Sequence, residues 1–368
     1  MAICWVMFQV TQSSEILKPK EKRAFQSHLA TLGLDESIWT VYDAFLQTAS
    51  THSIPKILRV HDRDNLLAAI YLIKCKDHGE TLTSSRWLRR IIRNAGIPVY
   101  IWMKSGIAAE NFTNPGFINE NDSDLSTEKL IRLVKKKYVF LFIHDLEENA
   151  RLFPDAIKLR YPDNGIIETK GYSDIQDYRG SHKNLKKKLR HYKKYGGRVE
   201  IIKGRLDETL QKQVKNAVQS TSRYSLFKLP YQENYANMCL SSARIADDHI
   251  LHFVCRGEKE FFGYHSFIEF KDQLYCMNGA FNRDLPTTHH AYENMIYRSI
   301  EYALEKGLAE IHYGPVLNET KKRMMEKCIP TQLYLYSSLP GMVRLLAPLL
   351  KKTRMQNNKM MEYSHIQD

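Results

Sequence analysis

His265 and Glu269 stand four residues apart in Phe261–Phe270, a run that reads as a strand, so both side chains fall on one face. Tyr264 and Tyr275 are close by, and Tyr313 ends a later strand-like run. A carboxylate in such a place has the chemistry of a general base and a phenol that of a general acid. Glu269 is therefore a candidate base and Tyr313 or Tyr275 a candidate acid, although an isolated His or Glu in a meander is more often structural. The loop that follows, Asn282–His290, offers Arg283, Thr287, Thr288 and His289 as guanidinium, hydroxyl, N–H and imidazole donors to an anion just ahead of a helix. His289 and His290 are adjacent, but no third ligand falls at a useful spacing, which speaks against a metal site.

The charge pattern points to a third kind of chemistry. From His182 to Arg198, seventeen residues carry eight Lys or Arg and no acid, more than half of the net charge of +13. Leu185, Leu189 and Tyr192 recur at i, i+4 and i+7, which predicts a helix over 182–196 with one narrow apolar stripe. Ser181 is placed to cap its start and Gly196-Gly197 to stop it. Lys186, Lys187, Arg190, Lys193 and Lys194 form the outer face. A merely solvated face would gain from interleaved Glu through i,i+4 pairs, and none is present. A membrane-surface helix would need a wide apolar face with Trp or Phe, which is missing. Phosphate binding is thus placed ahead of solvation, and peripheral membrane contact last.

These residues must be positioned by ordinary globular structure. The 368-residue chain is 43% hydrophobic and 26% charged, and its length is comfortable for two cores. Six scattered cysteines without a CxxC pair fit reduced thiols in a cytoplasmic protein. "MAICWVMFQV" reads as a first strand and not a signal peptide, because it lacks a basic flank. "GMVRLLAPLL" is too short to span a bilayer and reads as a terminal helix packed on the second core. Strands are expected at Lys56–Arg59 and Leu66–Lys74 around the turn "HDRDN", at Val99–Met103 and at Tyr138–His144, with a helix near Ser126–Lys136 capped by Ser126. The Pro- and Gly-containing Tyr161–Gly171 is the expected boundary. It gives a first domain over 1–160, a second over 161–345 and a tail over 346–368. The second reads as the basic helix, a strand (Val199–Ile202), a helix (Leu206–Gln219), three antiparallel strands (Ile250–Arg256, Phe261–Phe270, Gln273–Phe281), a long helix ended by Gly307, and a strand (Glu310–Tyr313).

That order resembles the GCN5-related N-acetyltransferase (GNAT) fold, and more closely its FemAB-like branch, in which two such domains stand in tandem. The resemblance is carried by the basic helix, by "EFFGYHSFIEFKDQLYCMNGAF", by "AYENMIYRSIEYALEKGLAEIHYGP" and by "GPVLNETKKRMM". It covers Asp174–Ser337, and the N-terminal domain is carried by analogy. It implies an α+β fold of two GNAT-like domains, each a mixed, mostly antiparallel sheet flanked by helices. It implies an N-acyltransferase that moves an acyl or aminoacyl group from acyl-CoA or aminoacyl-tRNA to an amine on a small molecule, peptide or cell-envelope precursor. Lys321, seven residues after Gly314, matches a family lysine that contacts the donor or the developing oxyanion, and a fixed positive charge suits that task. The alternative is a solvated lysine, and Lys322 and Arg323 leave the register open. Acetyl-CoA-dependent members read R/Q-x-x-G-x-G/A where this chain has Arg283 to Thr288. Both glycines are missing and Pro286 removes a donor. FemAB-like ligases that use aminoacyl-tRNA lack that glycine loop too. The competing class is a non-catalytic GNAT-like module that binds RNA or another anionic partner through its basic helix.

Overall fold

The computed structural model describes residues 9–32, 36, 38–46, 53–75, 94, 98–104, 116–119, 125–181, 198–224, 239–240, 242–244, 248–270, 272–285, 290–316, 319–322, 324–339 and 341. The predicted basic helix at 182–196 and the apolar stretch after Gly341 lie outside them, as do residues 1–8. The chain divides into two compact units. One comprises 1–106, 113–161 and 330–368, and the other 107–112 and 162–329.

The first unit runs β1 (Gln9–Ser13), three short helices α1 (Pro19–Arg23), α2 (Gln26–Thr31) and α3 (Ile38–Leu46), β2 (Ser53–Asp62), β3 (Asn65–Cys75), β4 (Val99–Met103), a two-residue β5 (Phe117–Ile118), α4 (Thr127–Lys137) and β6 (Phe140–Leu146). Its sheet order is β1-β2-β3-β4-β6-β13, where β13 is Lys327–Tyr336 and β5 pairs with β3. The expected hairpin is present, with Asp62 opposite Asn65. Helix α4 begins as anticipated: the Ser126 side chain accepts from the Lys129 amide, and Leu130, Ile131 and Val134 are buried. They pack on Leu58, Ile70, Leu72, Trp102 and Leu141. On the other face, Tyr71 stacks on Tyr42 of α3, with Trp39 and Phe117 around them.

The second unit repeats this order. It runs α5 (Ile175–Ser181), β8 (Arg198–Lys203), α6 (Glu208–Tyr224), β9 (Ile250–Arg256), β10 (Phe261–Phe270), β11 (Gln273–Phe281), α7 (Ala291–Lys306), β12 (Glu310–Pro315) and a single turn, α8 (Glu319–Lys322). Its sheet order is β7-β12-β11-β10-β9-β8, where β7 is Ile157–Glu168. Helices cover both faces. Leu210, Val214 and Val218 of α6 pack on Val254, Tyr264 and Ala280. Ile296, Ile300 and Ala303 of α7 pack on Phe253, Phe267, Leu274 and Ile311. All pairings are antiparallel except β11 with β12, just as β4 with β6 is the parallel pair of the first unit.

Two expectations are corrected and one is sharpened. Ser181 lies within the helical span of α5, whose start is capped instead by Asp174 accepting from the amides of Gln176 and Asp177. Tyr161–Gly171, the expected boundary, is mostly strand: β7 runs through Pro162 and Gly165 to Glu168, and the change of unit falls at Tyr161. Gly165 is accommodated in β7 because the Met325 side chain lies where its Cβ would stand. The chain also returns to the first unit at Pro330, ahead of the boundary drawn at 345.

Helix α7 stops where glycine allows it. Gly307 has φ +67°, and the Leu308 amide reaches back to the Ala303 carbonyl at 2.8 Å. A Cβ at this position would meet nothing within 4 Å. The cost of Gly307→Ala is therefore purely conformational, about 1 kcal/mol in a urea unfolding experiment, and Gly307→Asn loses less.

Candidate active site

The organising feature of the second unit is where its parallel pair ends. Gln273, Leu274 and Tyr275 of β11 face Glu310, Ile311 and His312 of β12, and there the pairing stops although both strands continue. Each strand shifts register at this point. On β11 the pairing with β10 skips Met277, and on β12 the pairing with β7 skips Tyr313. Bulges of this kind re-aim side chains and end pairing. Beyond Tyr275 and His312 the two strands part, and their facing backbone groups have no partners in each other.

Lys321 sits at this parting. Its ammonium donates to the carbonyls of Tyr313 at 2.8 Å and Pro315 at 2.7 Å, so the bulged residue's carbonyl is held by a side chain instead of a strand. The turn that presents Lys321 is anchored on both sides. Met325 packs its side chain over Gly165, where a Cβ would lie 2.6 Å from Met325 Cγ. The Glu326 amide bonds Ile166, and the Glu326 carboxylate accepts from Tyr178 at 2.6 Å.

His265 lies in the same region, on the α7 face of β10. Its ring meets Phe267, Phe281, Tyr292 and Tyr313 edge-on, with centroids 5.4–6.0 Å away. It is laid across β11 at Gly279, where a Cβ would stand 2.1 Å from His265 Cδ2. Burial, reinforced by the Lys321 charge, pushes its pKa down to about 3, so the imidazole is neutral.

The side-chain groups of the other expected residues are engaged elsewhere. Glu269 does share the His265 face, but four residues of strand separate them by about 13 Å. Its carboxylate is taken by the Tyr302 hydroxyl of α7. Tyr313 is 1% exposed, its hydroxyl lies 2.5 Å from Ser299 Oγ, and burial raises its pKa well above the ordinary value. Because Ser299 already donates to the Ile296 carbonyl, the Tyr313 O–H donates to Ser299 and is engaged in the core. Tyr275 stacks on His312 and donates to Gln273.

Arg283 is exposed at the end of β11, and the loop there is internally satisfied. The amides of Asn282, Arg283, Asp284 and Leu285 donate to Phe262 O, Ser220 Oγ, Asn282 Oδ1 and Asn282 O respectively. None of these four amides is left for a pyrophosphate. Thr287, Thr288, His289, Lys186, Lys187 and Arg190 lie outside the described residues. Among the described residues no three His, Cys, Asp or Glu side chains gather as a metal site would require, and no helix is long and apolar enough to cross a membrane.

A buried polar network on the α6 face was missed by sequence reasoning. Tyr264 donates to Asn278, Asn278 to Ser242, and His252 Nδ1 lies 2.7 Å from Ser266 Oγ. Only the polar residues interrupting the Phe-rich meander hinted at it.

Two units of the same strand order, each with one parallel pair enclosing a helix, are what tandem members of one acetyltransferase superfamily share. The chain has the tandem GNAT fold. Residues 179–322 match the family model for the acetyltransferase (GNAT) domain. L-PGS from Bacillus licheniformis superposes with a TM-score of 0.53 at 10% identity over 91% of this chain and 98% of that one. FemX gives 0.51 at 11% over 92% and 100%, in keeping with the FemAB-like resemblance. A tandem GNAT protein of the clavulanic acid biosynthesis pathway gives 0.50 at 9% over 91% and 99%. At these identities the likeness is one of fold. No curated protein matches in sequence.

Gly279→Ala must displace the His265 ring and also crowds the Tyr264 carbonyl, 2.8 Å from the new Cβ. Overpacking of this kind costs about 1–3 kcal/mol, and adding His265→Ala should recover part of the loss in a double-mutant cycle. Acid lability follows from three histidines, since burial lowers His252 and His312 to about 4 and His265 to about 3 from an ordinary 6.5. Their folded pKa values lie below the unfolded one, so the stability they contribute is complete above pH 6.5 and is lost as pH falls towards 4. Urea midpoints measured across that window should drop with uptake of up to three protons on unfolding.

Proposed function

We propose that the chain transfers an acyl or aminoacyl group from an activated donor to an amine, and that the second unit does so where β11 and β12 part. The observation that carries this reading is a contrast between the units. The parallel pair of the first unit is zipped through five residue pairs, Val99–Met103 with Phe140–His144, and continues through the Lys104 amide to the His144 carbonyl. The pair of the second unit stops after three. An opened ladder offers backbone donors and acceptors to an extended, amide-bearing arm, which is how strands capture extended ligands. The same N–H groups, with the Lys321 charge, would stabilise the oxyanion of a tetrahedral intermediate. Holding donor and amine together supplies much of the remaining catalysis by proximity.

Acyl-CoA and aminoacyl-tRNA both meet the requirement for an activated carbonyl. The in-house bonding of the amides at 282–285 favours a donor that needs no pyrophosphate cradle there, and the basic run from Lys183 to Arg198 suits a polyanion. Aminoacyl-tRNA is therefore our first choice of donor. The amine acceptor is a small molecule, a peptide or an envelope precursor. FemX and L-PGS share the fold, and a lysylphosphatidylglycerol synthetase, as its name says, makes an aminoacylated lipid.

Thermal melting of the full chain with acetyl-CoA, longer acyl-CoAs, and charged or uncharged tRNA tests the proposal. Charged tRNA should raise the Tm more than uncharged tRNA or acetyl-CoA. Its log K should fall with log salt by roughly 0.7–0.9 per neutralised phosphate. Lys321→Ala should lose transfer while keeping tRNA affinity. Stabilisation by none of these donors would end the transferase reading. Equal stabilisation by charged and uncharged tRNA, with Lys321→Ala fully functional, would point to a non-catalytic RNA-binding module.

A further inference from the structure

Charge in the second unit is divided along the chain. Residues 182–228 carry fourteen Lys or Arg and three acids, which is +11 of the chain's +13. Residues 229–320 carry seven Lys or Arg and thirteen acids. The basic half does not stop at the run before β8. It continues past the end of β8 and along α6, where Lys203, Arg205, Lys212 and Lys215 are exposed. Leu210, Val214, Ala217 and Val218 turn inward onto the sheet, so Lys212 and Lys215 stand on the outer face of α6 with Asn216 and Gln219.

A fifth cation is brought to this corner from elsewhere in the chain. The Leu206 amide donates to the Ala243 carbonyl at 2.9 Å. Gln211 donates to the Leu206 carbonyl at 2.7 Å and accepts from Arg244 Nε at 3.3 Å. The exposed Arg244 guanidinium is thereby set beside α6, with Lys215 one turn on from Gln211. Among the described residues none of these five cations pairs with a carboxylate, whereas Arg198 and Arg256 share Glu200 and Arg298 bonds Glu301 and Glu305. The acids beside them, Asp207 and Glu208, serve the helix start. Asp207 accepts from the Leu210 amide, and both stand at the positive end of the helix dipole. Like charges one turn apart on a helix cost stability when nothing neutralises them. A corner that keeps five cations unpaired is suited to an anion from outside.

We infer that the outer face of α6, with the end of β8 and Arg244, binds the phosphate backbone of an RNA, the tRNA part of the donor. This deepens the acyl-transfer reading and rests on its choice of donor. The face presents ammonium, guanidinium and carboxamide groups, which are donors suited to phosphate and sugar oxygens. Among the described residues no large apolar side chain is exposed there for a lipid surface to take up. An acidic protein would need an apolar centre to its interface, and the face offers none. The contacts are to the backbone, so they hold one tRNA as well as another and leave the choice of acyl group to the open strands.

Fluorescence anisotropy of end-labelled, deacylated tRNA with the full chain, read between about 0.05 and 0.5 M salt, tests this. In Lys212→Gln/Lys215→Gln the slope of log K against log salt should fall by about 1.4–1.8, and binding at about 0.1 M salt should weaken roughly 30-fold. Arg132→Gln/Lys136→Gln removes the same charge from the exposed side of α4 and should change the slope by less than about 0.5. Urea midpoints of both variants should match the wild type, since all four positions are exposed or at a helix surface. An unchanged slope in the α6 variant, or an equal fall in the α4 variant, would overturn the inference. So would polyglutamate or phosphatidylglycerol vesicles that bind as tightly as tRNA and lose as much in the α6 variant, because the face would then belong to an acidic protein or a membrane. Transfer from aminoacyl-tRNA, measured alongside, separates the two readings. If tRNA binds through α6 and the wild type transfers nothing, the footprint stands and the transferase reading has failed. If Lys212→Gln/Lys215→Gln transfers with the wild-type KM for aminoacyl-tRNA, only the footprint is lost.

Discussion

The second unit is organised around a ladder that stops. Two parallel strands normally continue to pair for as long as they run together, because every unpaired backbone group is a loss. Here three pairs form, each strand shifts register, and the strands go separate ways. The parting is maintained by substitutes for the missing bonds. Lys321 takes the carbonyls of Tyr313 and Pro315, and the end of β11 is gripped by Thr221 on α6, which bonds both the amide and the carbonyl of Phe281. The first unit shows the default outcome of the same topology, in which the pair stays closed and the Lys104–Asp145 ion pair lies at its end. One fold thus appears twice in the chain, once sealed and once open.

An opening of this sort must be kept dry and rigid to be of chemical use. Tyr292, Tyr313, Phe267 and Phe281 surround His265, and α7 lies over them with nearly every residue of its first three turns buried. The neutral histidines are the counterpart of that dryness. Taking an imidazole out of water disfavours its charged form, so the unit holds polar rings without holding charge. Among the described residues, Lys321 is the charged group that acts on His265.

Much of this architecture could be read from the residues. Periodicity located the three-strand meander to the residue, the long helix, and its glycine stop, because each has a strong local cause. The face shared by His265 and Glu269 follows from strand alternation alone. Proximity of Lys321 to His265 does not, since it depends on a bulge at Tyr313 and on a turn anchored by Glu326, neither of which has a sequence signature. Tyr313 illustrates the converse: its position in the chain suited an acid, but its partner Ser299 sits on a helix whose rotation only packing decides. Pro162, Gly165 and Gly171 mark Tyr161–Gly171 as a boundary; that a strand runs through it is not legible, because Gly165 owes its place there to Met325, far away in sequence. The tandem arrangement came from the family resemblance and not from any visible repeat, as two units built on one strand order need share no residues, only alternation.

The path of β7 and β13 has a consequence for how the molecule comes into being. The strand that follows β6 in the chain completes the sheet of the second unit, and the strand that follows β12 returns to lie against β6. Each unit therefore borrows its closing strand from beyond the other. A ribosome that has finished residue 161 has not finished the first unit, which waits for Thr331–Tyr336 through the synthesis of the whole second one. No single cut in the gene releases either unit intact. The two copies are interleaved along the chain, so the sealed one cannot be removed by a single deletion without taking a strand from the open one.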